Sequence, residues 1–176
     1  MFPWTHAAVG YLCLVGCWLV LGRRVSKAEL VAVVVGTQLA DVVDKPLAWS
    51  FQLLPAGRSL AHSLLVAVPL IALVIGVAWR RRHPEVGVAF GVGYLSHLAG
   101  DTYVAVYYWR TEELTFLLWP LLPPYPYDDF TGVLDFAGGV ELTLPLLVAL
   151  LGSGLVGLVF IAQFYRAPRW PPSRAV

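Results

Sequence analysis

Seven ionisable residues lie within long apolar runs or at their ends: His6, Asp41, Asp44, His62, His97, Asp101 and Glu141. Burying such a group in hydrocarbon is costly unless it is paired, solvated or bound to an ion, so each is a functional candidate. His97 and Asp101 are four residues apart and share one helix face, where both can reach one ion. Imidazole nitrogen combined with carboxylate oxygen suits zinc or a similar borderline divalent cation. Three or four protein ligands plus a water make the catalytic form of such a site. Arg58 falls in the same region and could clamp a phosphate or carboxylate.

The elements that must carry these residues are membrane helices. The chain has 176 residues, of which 59% are hydrophobic and 13% charged, and its mean hydropathy is +0.72, which excludes an ordinary soluble domain. A net charge of +1 gives no basic excess for a nucleic-acid backbone, so no nucleic-acid partner is expected. A hydrocarbon core about 30 Å thick requires about 20 apolar residues in a helix. Five runs qualify, at residues 5–22, 29–44, 60–79, 86–109 and 138–165, the second being short. The fold class expected is therefore all-α, a polytopic bundle of about five transmembrane helices forming one domain over residues 1–165.

Basic residues orient the bundle. Arg23, Arg24 and Lys27 follow the first run, Arg80, Arg81 and Arg82 the third, and Arg166, Arg169 and Arg174 the fifth. An up-and-down path puts all of them on one side, which the positive-inside rule makes cytoplasmic, with the N-terminus outside. No positive segment precedes the first run, so it does not read as a signal peptide. Residues 47–54 read as an interfacial helical turn, and residues 110–137, rich in proline and aromatics, as an interfacial loop forming a lid or rim. Residues 166–176 read as a disordered cytoplasmic tail. Cys13 and Cys17 cannot bridge along one helix and read as packing residues. Gly87 and Gly91 offer a small-residue surface for close helix approach, and Gly93 continues the His97 stripe.

Depth arithmetic brings the polar residues to one level. His6 lies about 26 Å along its helix from Arg23, and His62 about 27 Å from Arg80. Asp41 and Asp44 lie about 21 and 26 Å beyond Lys27, while His97 and Asp101 lie about 18 and 24 Å beyond Glu85. All fall in the outer half, and Glu141 opens the fifth run there. Asp41 is the stronger ligand candidate, because Asp44 could pair with Lys45. Thr5 could share a helix-cap environment with His6, and the helix dipole alone could account for Glu141. His83 faces the cytoplasm, outside the site.

The order His6, Leu39-Ala-Asp-Val-Val-Asp-Lys-Pro46, Gly57-Arg-Ser-Leu-Ala-His-Ser-Leu-Leu65 and Gly93-Tyr-Leu-Ser-His-Leu-Ala-Gly-Asp101, with Trp119-Pro120, resembles the YdjM-like family of membrane-bound proteins regarded as metal-dependent hydrolases. That family looks distantly similar to zinc-dependent phospholipase C and to secreted zinc nucleases. The resemblance implies metal binding through Asp41 or Asp44, His62, His97 and Asp101. The chain departs from the pattern at Asp41-x2-Asp44 in place of Asp-x-Asp, at Gly57-Arg58 in place of His-Arg, and at Ala61 in place of Thr. It lacks a second His-x3-Asp, which limits the site to one divalent ion, zinc by ligand chemistry, or two at most.

The expectation is a hydrolase of an ester or phosphodiester at the extracytoplasmic face of the cell membrane, with a phospholipid or lipid-linked substrate suggested by headgroup depth. His6, Asp41, His62, His97 and Asp101 would bind metal, Asp44 or Glu141 would act as general base, and Arg58 would hold the substrate's anion. The rivals are a metal-ion or proton transporter and a structural protein with a polar interhelical clamp. The inner halves of the spans lack a comparable relay, which disfavours transport.

Overall fold

The structure is a computed structural model and describes residues 2–125, 135 and 138–170. It is all-helical, with no strand among the described residues. Five long helices occupy the five apolar runs: α1 (Pro3–Val20), α2 (Lys27–Lys45), α3 (Leu64–Arg80), α4 (Pro84–Tyr107) and α5 (Leu144–Arg166). Local chemistry sets their starts. Proline stands in the first turn of α1, α4 and α5, where a missing amide hydrogen costs nothing. At α2 a capping box is complete, with the Ser26 side chain accepting from Glu29 N and the Glu29 carboxylate accepting from Ser26 N.

Helices α2 and α4 form the central pair, with α1 and α3 packed beside them and α5 chiefly on the outside of α1. The α2–α4 crossing is close because glycine stands on both sides of it. A Cβ at Gly36 would lie 2.2 Å from Phe90 O, and one at Gly93 would lie 2.3 Å from Val33 O. Gly87 and Gly91 face Ile75 and Ile71 of α3, so the expected small-residue surface serves the α3–α4 contact. Below these crossings Leu14, Leu30 and Val33 are fully buried in an apolar layer with Tyr11, Trp18 and Ala89.

At the arginine-rich end the buried Glu29 accepts from Trp18 Nε1 at 2.8 Å, and Arg23 lies between Glu29 (3.9 Å) and Glu85 (3.6 Å). Two helices, α1 and α5, are long and apolar enough to cross a membrane, and α3 is a shorter apolar helix.

Several local expectations are corrected. The third helix starts at Leu64 rather than residue 60, because the preceding loop turns its amides onto a buried carboxylate instead of continuing the helix. The fifth starts at Leu144, where Thr143 caps it. The turn after α2 is a π-helical segment, Pro46–Ser50, with Trp49 buried and Phe51 exposed. Cys13 and Cys17 are free and exposed rather than packed. Within the interfacial loop, Thr111–Leu118 forms a 3-10 helix; residues 126–134 and 136–137 lie outside the described residues. Part of the expected tail is engaged, since Pro168 O and Arg169 O accept from Lys27 N and Ala28 N in the first turn of α2. Residues 171–176 lie outside the described residues.

Candidate metal centre

Four buried side chains from two helices and a loop converge: Asp41 from α2, His62 from the loop before α3, and His97 and Asp101 from α4. One ligand atom from each lies within 4.8 Å of the others. His62 Nε2 is 3.4 Å from Asp41 Oδ1, 3.4 Å from Asp101 Oδ2 and 3.1 Å from His97 Nε2. His97 Nε2 is 3.8 Å from Asp41 Oδ1 and 3.7 Å from Asp101 Oδ2. A tetrahedral ion with bonds of 2.0–2.1 Å has ligand–ligand edges of about 3.3 Å, so these spacings fit one small cation at the centre.

The partners of the outward-facing atoms say which atoms face inward. Asp44 is fully buried and accepts from the amides of Ser59, Ala61 and His62 and from His62 Nδ1 at 2.8 Å. Donation from Nδ1 leaves the His62 Nε2 lone pair directed at the centre. Asp41 gives Oδ2 to Lys45 Nζ at 2.7 Å, while its buried Oδ1 finds no hydrogen-bond partner among the described residues. Arg58 grips Asp101 with two donors, Nε to Oδ2 at 3.1 Å and Nη2 to Oδ1 at 3.2 Å. A proton on His97 Nε2 would satisfy the histidine pair, but it would leave Asp41 Oδ1 a buried acceptor without a donor, an arrangement folded proteins rarely retain. With the imidazoles neutral, three carboxylates against Lys45 and Arg58 leave one net negative charge for a cation to offset. Two imidazole nitrogens and two carboxylate oxygens are a donor set that could hold such an ion.

Each residue singled out from the sequence now has a place. Asp41, His62, His97 and Asp101 come together. His6 stands beside them, its ring 4.0 Å from that of His97 and its Nε2 3.2 Å from Asp101 Oδ1, off the line of a hydrogen bond. It therefore meets Asp101 at Oδ1, whereas His62 and His97 approach Oδ2. Asp44 orients His62 from behind, and its oxygens are occupied by four donors, which removes it as general base. Lys45 pairs with Asp41 rather than with Asp44. Arg58 holds Asp101, its side chain 23% exposed. Glu141 is exposed in the stretch before α5, outside the buried cluster.

The lid or rim expected of the loop after α4 is present in Thr111–Leu118, but sequence reasoning missed the residues that hold it. Ser63 caps α3 through Leu65 N, and its hydroxyl lies 2.6 Å from Trp119 O, tying the Thr111–Leu118 segment over the centre. Phe116 is fully buried there, edge-on to the His62 ring at 6.2 Å and beneath the Arg58 guanidinium at 6.0 Å. Tyr94 OH donates to Ala61 O at 2.6 Å and fixes the loop from the other side. A lone serine and phenylalanine carry no periodic signal; the proline- and aromatic-rich composition of the loop and its Trp119-Pro120 pair pointed to the region but not to these two residues.

Asp44→Asn provides a direct test of the orienting role. Zinc affinity, measured by competition with a chelating dye, is expected to fall by about 10–100-fold. Unchanged affinity would mean that the Asp44–His62 pair does not set the ligand.

Residues 1–170 match the family model described as YdjM inner membrane protein. No curated protein and no solved structure matches the chain.

Proposed function

We propose, since the chain belongs to the YdjM inner membrane protein family, that it is a multi-pass membrane enzyme, a metal-dependent hydrolase cleaving an ester or phosphodiester at the extracytoplasmic face. All five helices cross the bilayer in this reading, with the arginine-rich end cytoplasmic by the positive-inside rule. Helices α2 and α4 fall below the hydropathy of lipid-facing spans because they carry the buried polar cluster and pack at the centre of the bundle.

The observation that carries the proposal is the convergence of Asp41, His62, His97 and Asp101 under a cationic rim. Lys45 and Arg58, whose side chains are 20% and 23% exposed, are the charged groups at its edge. That pairing suits a substrate bearing a negative charge, which the rim attracts while the buried ligands hold the ion. A bound divalent cation, zinc by its donor set, supplies Lewis-acid polarisation and a more acidic water. The chain's own groups do the positioning: Asp44 fixes His62, Arg58 fixes Asp101, and Phe116 excludes bulk solvent from above. The His6 ring is the best placed group to accept a hydrogen bond beside the cluster. A phospholipid or lipid-linked molecule is the substrate class favoured by the depth of the centre at one end of the bundle and by the Trp119 segment over it. Transport is the weaker reading, because the apolar layer of Leu14, Leu30 and Val33 separates the cluster from the Arg23 group.

The test uses purified protein in mild detergent with bis(p-nitrophenyl) phosphate and with phospholipid in mixed micelles. Metal-dependent hydrolysis is expected, abolished by chelator and by Asp41→Ala. Release that persists unchanged in chelator, or none from either substrate by metal-loaded protein, would overturn the reading.

A further inference from the structure

A cleft of about 500 Å³ opens between α1 and α5 at the end of the bundle opposite the metal centre. Arg23, Arg24 and Arg166 stand at its rim, and Val15, Leu19 and Val159 form its walls. Tyr11, which hydrogen-bonds Gln163 across the two helices, lines its inner end. From Val20, where α1 ends, to Tyr11 the helix rises about 14 Å, close to half of a hydrocarbon core about 30 Å thick. The cleft thus has a cationic mouth and an apolar interior about one leaflet deep. Leu19 and Val159 are 71% and 53% exposed, so its walls open sideways, as a lipid entering from the bilayer requires. Arg23 is committed to Glu29 and Glu85, whereas Arg24, in the connection after α1, and Arg166, at the end of α5, are exposed beside the mouth.

We infer that this cleft binds an anionic phospholipid, its phosphate between Arg24 and Arg166 and one acyl chain lying along the α1–α5 seam. Basic mouths between membrane helices attract anionic headgroups, and the apolar depth distinguishes a lipid from a free phosphate, which would occupy the mouth alone. The inference is independent of the hydrolase reading, because no residue of the cleft belongs to the metal centre.

Native mass spectrometry of the full chain, exchanged with an equimolar mixture of phosphatidylglycerol and phosphatidylcholine, measures the preference. The wild type is expected to retain phosphatidylglycerol over phosphatidylcholine by about tenfold, and Arg24→Gln with Arg166→Gln to bring that ratio near unity. Both side chains are exposed, so unfolding in phosphatidylcholine alone should match wild type. Equal retention of the two lipids, or a preference the double variant keeps, would overturn the inference. Displacement by glycerol 3-phosphate as effective as by the lipid would also overturn it, by showing that the acyl chain contributes nothing.

Discussion

Replacing His62 with Ala is expected to abolish stoichiometric metal binding, with zinc affinity falling by more than about 100-fold, beyond the range seen for losing an outer partner. His62 has the closest approaches to each of the other three ligand residues, at 3.1, 3.4 and 3.4 Å. Removing it opens a gap in the donor set and strands Asp44, a fully buried carboxylate that keeps only its amide donors. Metal analysis by plasma mass spectrometry after dialysis should give about one equivalent for wild type and near none for the variant. Thermal unfolding supplies a readout independent of turnover. Zinc at 100 times its Kd should stabilise wild type by about 2.7 kcal/mol and leave His62→Ala unmoved. His6→Ala should retain the metal, because His6 meets Asp101 at Oδ1 rather than at the Oδ2 that His62 and His97 approach. A His62→Ala protein still carrying a full equivalent would remove the physical basis for the metal centre.

What the sequence could and could not disclose follows from the information each signal holds. Counting residues from charged boundaries gives depth, and depth sufficed to bring Asp41, His62, His97 and Asp101 to one level. It gives no direction around the bundle axis, which is why Glu141 stood among the candidates although it precedes α5, a helix packed chiefly on the outside of α1. Asp41 and Asp44 are separated by less than one turn and differ in role only through the loop over residues 51–63. Its Ser59, Ala61 and His62 amides fold onto Asp44 and leave Asp41 Oδ1 to the centre. No propensity encodes that return. A helical turn over residues 47–54 was legible, but its π-helical form at Pro46–Ser50 and the 3-10 segment bearing Phe116 were not, since both are short and held by tertiary contacts rather than by a repeating apolar pattern.

Gly36→Ala and Gly93→Ala should each disrupt fold and metal centre together, although neither residue is a ligand. Each new methyl would meet a helix carbonyl, Phe90 O at 2.2 Å or Val33 O at 2.3 Å, whereas ordinary contact begins at 3.4 Å. Backbone cannot rotate aside as a side chain does, so α2 and α4 must separate by about 1 Å, and overpacking of this kind costs about 1–3 kcal/mol. The same displacement carries Asp41 on α2 away from His97 and Asp101 on α4. Metal ligands tolerate errors of only about 0.2 Å, so zinc affinity should fall along with stability. Gly152→Ala on α5 is the matched control. A Cβ there meets nothing within 4 Å, and the change should leave zinc affinity unaltered while stabilising the helix by up to about 1 kcal/mol. Detergent unfolding and zinc titration of the three variants separate a steric effect at the crossing from any general sensitivity to alanine in these helices. If Gly36→Ala and Gly93→Ala unfold and bind zinc as Gly152→Ala does, the α2–α4 crossing does not hold the four ligands in register.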